Sequence, residues 1–579
     1  MPGPDRLVDA PAVLSFAQQR LWFLDRLRPG RPDHNVPVAV RLRGRLDQGA
    51  LVRALDEVVR RHEVLRSRIV VTDDVPHQIT EETGTFVPAV TDLTHLPFEQ
   101  AQERARELVA ADTATPFDLA TAPMLRARLI RVASDEHLLL LVVHHIAFDG
   151  WSSSVLWQEF SAAYRAAVEG RPVVLEELPV QYADFASWQR SAQDGAALRD
   201  QLDHWRERLS GRSREVFPPD RPRPALWSGR GDQVGIEIPA EFTDRIRALG
   251  SAHEVTPFMT LLAAFQVLMA RCSGQPDVPV GTPISGRNRI EVEPLIGFFV
   301  NTLVLRTDLS GDPGFAEVLG RVRRCAVDAY AHQDVPFDRL VEEVRPERDL
   351  GRHPLFTVMF QMDEVPALPA DLPGLEVSAH QVPYTVVKFD VEVSLTDRGD
   401  HFTGVVRYAT DLFDRDTMRR LAQDYRSLLD HLVGAPGEPL SAWEPSLGPR
   451  VDPSGPAASP GAGPDGRGGA PSTETELLVL DVWSEVLGVA PGGVHDDFFE
   501  LGGHSLLASK VMSRLGRALD LELPVALLFY HPSVTELADA IDAALLHDLD
   551  GAPSETAPPP AGAPALPAGA APLPTGKGL

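Results

Sequence analysis

Cysteine is scarce: Cys272 and Cys325 are the only two in 579 residues, and neither sits in a C-x-x-C or zinc spacing. A disulfide framework and a cysteine metal site are therefore not expected, and a reducing compartment is the default. Positive charge is also short. Lys and Arg number 55 against 82 Asp and Glu, a formal net charge of −27. That argues against a nucleic-acid partner, which would want a basic face. The longest apolar runs, such as HLLLLVV, are far too short to span a bilayer. The N-terminal MPGPDRLVDAPAVLSF lacks a charged region followed by an apolar core, so no signal peptide is expected. The expectation is a cytoplasmic protein with no membrane partner.

What is present is a long stretch of folded α/β chain, residues 1–449. Helical spacing at Leu51, Leu55, Val58 and Val59 alternates with short β-rich runs. Composition then breaks at 450–472, which is rich in Gly, Pro, Ala and Ser and reads as a linker. As a flexible coil of ~21 residues it would span roughly 25 Å. Residues 473–545 show three amphipathic segments, TETELLVLDVWSEVLG, SLLASKVMSRLGRAL and SVTELADAIDAALL, a small helix bundle. Ser533 with Glu536 three residues on predicts a capping box. The Ala/Pro-rich tail 546–579 cannot bury enough to fold.

Two stretches carry chemistry. In LLLLVVHHIAFDGWSSSVLW an apolar strand ends in His144-His145, and Asp149 and Gly150 follow. Adjacent strand residues point to opposite faces, so one histidine is packed and the other presented. Gly150 permits a tight turn, and Ser152 or Ser153 is placed to cap the next helix. From the residues alone three readings stay open: a satisfied core histidine, metal ligation, and acid–base chemistry near neutral pH. Metal is the weakest, because neighbours on a strand make poor co-ligands.

HHIAFDG fits the HHxxxDG motif of nonribosomal peptide synthetase condensation domains, which is shared across the chloramphenicol-acetyltransferase-like superfamily. SFAQQRLWFL, RHEVLRS, YADFASW, IGFFVNTLVLR, HQDVPFD and RDLGRHPLF follow in the order of that family's other motifs, so residues 15–449 resemble such a domain. The resemblance implies two acetyltransferase-like lobes in a V-shaped pseudo-dimer, about 1–175 and 176–449, with a tunnel between them. It implies that His145 is the catalytic residue, as base or as positioning group. Gly150 would leave room for substrate and offer its N–H to an oxyanion. His144 and Asp149 would support the site, with Asp149 paired to Arg66 in preference to Arg61. Asn301 would line the tunnel, while Trp151, His332 and the YADFASW segment would pack.

The second stretch is FFELGGHSLLASKV, in which Ser505 stands where a helix begins. A serine there is an ordinary N-cap, and a helix N-terminus also stabilises an anion. DDFFELGGHS and the length of the bundle resemble peptidyl carrier proteins. The resemblance implies 4′-phosphopantetheine on Ser505, added by a phosphopantetheinyl transferase. The linker would set an effective concentration of about millimolar order.

No adenylation-type loop and no G-x-S-x-G elbow occur between or after the two regions. The expectation is thus a condensation–carrier didomain with no metal. It would form an amide between a donor thioester on another protein's carrier and an amine on its own carrier, loaded by an adenylation enzyme in trans. Alternatives are ester formation, a free small-molecule acceptor, and a non-catalytic docking platform. An epimerisation domain would follow its carrier, and a heterocyclisation domain would replace the histidines with aspartates. The histidine region also resembles condensation domains that accept an L-configured donor.

Overall fold

The computed structural model describes residues 11–448 and 469–549, apart from short breaks at 83, 192–195, 211–215, 225–226, 345–351, 364, 366 and 383–385. The expected linker up to 468, the tail from 550 and the start of RDLGRHPLF lie outside the described residues. The chain forms two compact units, Met1–Gly463 and Pro464–Leu579.

Two sheets organise the first unit. The five-stranded sheet runs Leu375–Ala379, Asn35–Gly44, Glu136–His144, Leu125–Ala133, Ala89–Asp92. Its central strand, Glu136–His144, is buried at every position. A strand covered on both faces reads as a continuous apolar run, which is why LLLLVV does not alternate. The six-stranded sheet runs Asn301–Asp308, Asp277–Ile284, Val358–Asp363, Val391–Asp397, Phe402–Ala409, Gly231–Ile238. Its edge strand Gly231–Ile238 does alternate, burying Val234, Ile236 and Ile238.

Helices close both sheets. Gln48–Arg61 is capped by Asp47, whose Oδ1 accepts from Ala50 N at 2.8 Å, and it buries Leu51, Leu55, Val58 and Val59. In the other half Pro257–Ser273 starts at the Thr256 cap and ends at Gly274, with φ at 71°. It buries Leu261, Leu262, Phe265 and Leu268 in the larger core. Truncating such a residue to Ala costs about 2–5 kcal/mol.

The expected division near residue 175 is crossed by one strand. Leu375–Ala379, from the second half of the sequence, pairs antiparallel with Asn35–Gly44, Ala379 opposite Val40. A strap of chain therefore runs from the six-stranded sheet to the edge of the other and back. Local propensity carries no signal for such a long-range pairing.

The second unit holds three main helices, Glu474–Leu487, Ser505–Leu519 and Val534–Leu549, with a short Ala526–Tyr530 that the sequence reading did not separate. Thr473 and Glu476 form a capping box, and Gly488 ends the first helix with φ at 69°. Glu536 N donates to Ser533 Oγ at 3.3 Å, and Ser533 Oγ donates to Glu536 Oε2 at 2.9 Å. Val479, Trp483, Phe498, Val511, Leu515 and Ile541 are buried, with Trp483 and Phe498 edge to face at 5.1 Å. The third helix runs to Leu549, four residues into the expected tail. Among the described residues no single helix is long and apolar enough to cross a membrane.

Candidate active site

The strand Glu136–His144 ends where expected, and the two histidines part there. His144 is buried, edge-on to His34 at 5.9 Å and to Phe117 at 5.8 Å. Its Nδ1 accepts from Ile146 N at 3.1 Å, which fixes the neutral tautomer with the proton on Nε2. His145 opens a short 3-10 turn, and its backbone N donates to His34 O at 2.8 Å. Its ring is half-buried, 4.5 Å from that of Phe298, and its Nδ1 donates to Phe148 O at 2.6 Å. With the proton held on Nδ1, the lone pair of Nε2 is free to accept.

Both rings are held neutral. Burial pushes His145 well below the usual imidazole range, and the Lys388 ammonium pushes the same way, against the bond to Phe148. Burial, then Lys388 and Arg126, lower His144 to about 3. His34 is lowered by burial and Lys388 too.

Asp149 corrects an expectation. Its partner is Arg287, not Arg66: Arg287 Nη2 donates to Oδ1 at 3.1 Å and Oδ2 at 3.3 Å, both side chains fully enclosed. Arg66 instead donates to Glu81 O at 2.6 Å, and Arg61 pairs with Glu159 at 3.0 Å. The physical reason is supply: Arg61 ends the helix Gln48–Arg61 and Arg66 ends the 3-10 turn Glu63–Arg66, each beside its own acceptor, while Arg287 follows the strand Asp277–Ile284 into the site. Asp149, not a serine, is also the helix cap. Its Oδ1 accepts from Ser152 N at 2.8 Å and from Ser152 Oγ at 2.7 Å, opening the helix Gly150–Val168.

The IGFFVNT segment is stitched to this centre. Phe299 N donates to Asp149 Oδ2 at 3.0 Å, and Gly297 N to Ser152 Oγ at 3.0 Å. Tyr182, from YADFASW, donates its hydroxyl to Phe298 O at 2.6 Å and meets Ser15 Oγ at 2.8 Å. His62, from RHEVLRS, accepts from Ile296 N at 3.1 Å through Nδ1 and donates from Nε2 to Glu159 at 2.9 Å. Three separated motifs thus converge on one loop. Gly150 stands open at the first turn of its helix, where an added Cβ would meet nothing within 4 Å. No neighbour requires glycine there, so the room it leaves faces outward.

Asn301 is half-buried. Its Nδ2 donates to Gln333 O and Val335 O at 3.0 and 2.8 Å, and its Oδ1 accepts from Phe337 N at 2.9 Å. It pins the HQDVPFD turn, and its whole amide is taken up in doing so. Trp151 is 40% exposed and donates to Glu293 O at 2.9 Å. His332 donates from Nδ1 to Asp328 O at 2.7 Å and stacks on His204 at 3.8 Å.

The residues that sequence reading missed are Arg287, Ser152 as a partner of the Gly297 backbone, Tyr182, His62 and Glu159. Arg287 had a local signal: it follows Gly286, whose added Cβ would lie 2.0 Å from Phe299 O. A Gly-Arg pair straight after an apolar strand marks a backbone that passes close to something.

In the second unit Ser505 is the first residue of its helix, one position inside the cap at His504. Gly502, φ 98°, turns the chain just before it. Among the described residues this helix has no side-chain cap bond at its N-terminus. Its first N–H groups suit a phosphate on the Ser505 hydroxyl, so the residues present fit a phosphopantetheine arm.

Comparison with known proteins agrees with both units. Residues 9–445 match the condensation domain family, and 478–541 match the phosphopantetheine attachment site family. A linear gramicidin synthase of Brevibacillus parabrevis is 43% identical over 436 residues, 75% of this chain but 8% of that protein. The chain thus spans less than a tenth of that synthase. Among solved structures, the X-domain in complex with OxyB from teicoplanin biosynthesis is 30% identical, with a TM-score of 0.69 over 78% of this chain and 99% of that one. SgcC5 from Streptomyces globisporus, solved with (R)-(−)-1-(2-naphthyl)-1,2-ethanediol and sucrose, is 30% identical, with a TM-score of 0.62 over 74% and 100%.

Proposed function

The chain belongs to the condensation-domain family and carries a phosphopantetheine attachment domain behind that fold, and we propose that it forms an amide bond between two carrier-bound substrates. The donor is an acyl or peptidyl thioester on another protein's carrier. The acceptor is an amine on the arm at Ser505, charged by an adenylation enzyme in trans after a phosphopantetheinyl transferase has modified the serine. The arm supplies a flexible thiol that carries the acceptor as a thioester. A cytoplasmic setting fits this chemistry.

The observation that carries the reading is His145: its Nδ1 proton is tied to Phe148 O, so its Nε2 lone pair is the one presented. The burial that lowers its pKa makes it a weak base but a constant hydrogen-bond acceptor at neutral pH. It therefore acts mainly by holding the amine so that the nitrogen lone pair points at the donor carbonyl. Asp149 and Arg287 fix the loop that holds it, which is the pre-organisation such positioning needs. His144 supports the turn from behind. Gly150 leaves room for the reacting groups, and its N–H lies at a helix N-terminus, where developing negative charge is favoured. The test is a reconstituted condensation with a loaded donor carrier, comparing the native chain with His145→Ala.

A second reading is ester formation with a hydroxyl acceptor. The diol bound to SgcC5 favours it, and it asks more of His145 as a base, because a hydroxyl must lose its proton to attack. A third reading, a docking platform, draws on the X-domain bound to OxyB. It requires product formation to be indifferent to His145.

A further inference from the structure

Ser15 and Gln18 open the helix Phe16–Leu27 with a capping box. Gln18 N donates to Ser15 Oγ at 3.1 Å, and Ser15 N donates to Gln18 Oε1 at 3.1 Å. Those two bonds are an ordinary helix start. The remaining groups of the two side chains do something else. Both residues are buried, and each reaches His145 by its own route.

Gln18 takes the backbone route. Its Nε2 donates to Ile146 O at 3.3 Å, inside the 3-10 turn His145–Ala147. Its Oε1 also accepts from Gln78 Nε2 at 3.4 Å, so the amide is fixed in one orientation.

Ser15 takes the side-chain route. The single hydroxyl proton of Tyr182 goes to Phe298 O at 2.6 Å. Ser15 Oγ, 2.8 Å from that hydroxyl, is therefore the donor to it. Burial pushes the Tyr182 phenol above its ordinary range, so it keeps its proton at neutral pH. Its ring is braced edge to face against Phe299 at 4.9 Å. Phe298, pinned at its carbonyl and buried, sets its own ring 4.5 Å from the His145 ring at a tilt of 50°. The hydrogen bond from Nδ1 to Phe148 O holds His145 at one atom; Phe298 supplies a side wall for the rest of the ring.

We propose that Tyr182 and Phe298 are positioning residues for His145, with the Ser15–Gln18 capping box bracing both the tyrosine hydroxyl and the turn that carries the imidazole. This rests on the condensation reading above. The four residues exchange no proton with substrate. They keep Nε2 of His145 where the acceptor amine must meet it, and a displacement of about 1 Å at such a point can cost roughly 100-fold in rate.

The experiment measures single-turnover product formation at pH 7.5 with a loaded donor carrier and an aminoacylated Ser505 arm. Tyr182→Phe and Phe298→Leu are each made in the native chain and in His145→Ala, with melting curves for all. In the native background Tyr182→Phe should slow the reaction roughly tenfold. In the His145→Ala background it should change the rate by less than about twofold, because no imidazole is left to position. Phe298→Leu should show the same pattern. A merely structural role slows both backgrounds by one factor, and that result overturns the proposal. A folded Tyr182→Phe within about twofold of the native rate overturns it too. If Tyr182→Phe does not fold, Phe298→Leu, which keeps the backbone carbonyl, decides alone by the same criteria. No product from the native chain refutes the condensation reading itself; product that is lost in His145→Ala but kept in folded Tyr182→Phe and Phe298→Leu refutes only the positioning role.

Discussion

Arg287 reaches Asp149 across 138 residues of sequence, and the contact at 3.1 Å is closed to solvent. The same Asp149 caps the helix Gly150–Val168 and receives Phe299 N. One carboxylate thus ties the catalytic loop, its helix and the IGFFVNT segment together. Removing one member of a buried pair strands the other, at about 3–5 kcal/mol. Arg287→Met and Asp149→Asn should each lower the stability of the condensation unit by that amount and abolish most product formation. Arg66→Met, whose side chain reaches Glu81 O instead, should cost about 1 kcal/mol. Urea unfolding of the three variants checks this, and a larger loss for Arg66→Met than for Arg287→Met contradicts the pairing.

How much of this was legible beforehand depends on range. Strand parity predicts that His144 and His145 part, and in the structure a 3-10 turn that opens at His145, just past the strand end, separates them. The third carrier helix announces itself through the Ser533–Glu536 capping pattern, a local signal that the structure keeps. The Asp149–Arg287 pair does not, because it joins residues whose neighbourhoods share no local pattern. Arg66 is not the partner, because its guanidinium donates to Glu81 O at 2.6 Å. The turn partners of Asn301 were out of reach in the same way, because Gln333, Val335 and Phe337 lie 32–36 residues further along the chain. Lys388 sits in VVKFDVEV, where an isolated lysine is indistinguishable from a solvated one.

Acid should weaken this unit through its buried histidines. His144 is lowered from the ordinary 6.5 to about 3, so the folded state refuses a proton that the unfolded chain accepts. That stability is fully present above pH 6.5 and is lost as pH falls toward 3. His144→Asn retains an acceptor for Ile146 N and removes the titration. Between pH 6.5 and 5 it should lose about 1.5 kcal/mol less than the native chain, by urea unfolding at both values. An equal loss in both chains contradicts a neutral, buried His144.

Lys388 makes the opposite case. Its folded value of about 8 lies below the ordinary 10.5, so below pH 8 the folded state bears an unfavourable charge. Lys388→Met should therefore be more stable than the native chain at pH 7, by on the order of 2–3 kcal/mol. The gap should narrow as pH rises from 8 to 10.5, where only the unfolded chain still holds the proton. A Lys388→Met variant that loses stability at pH 7 contradicts the lowered value.

Ser505 is the first residue of its helix, one position inside the cap at His504. Incubation with coenzyme A and a broad-specificity phosphopantetheinyl transferase should add one phosphopantetheine to the native chain and nothing to Ser505→Ala, by intact-protein mass. Addition to Ser505→Ala would move the attachment elsewhere.

The central claim is that His145, held through Phe148 O, positions the attacking amine. The most direct measurement is intact-mass detection of the condensed product on the Ser505 arm, native chain against His145→Ala, in single turnover at pH 7.5. The account predicts rapid accumulation on the native chain and at least ~100-fold slower formation in the variant, with both chains melting alike. Equal rates in two folded chains would contradict it and leave the condensation unit as a platform on which the reaction runs unaided.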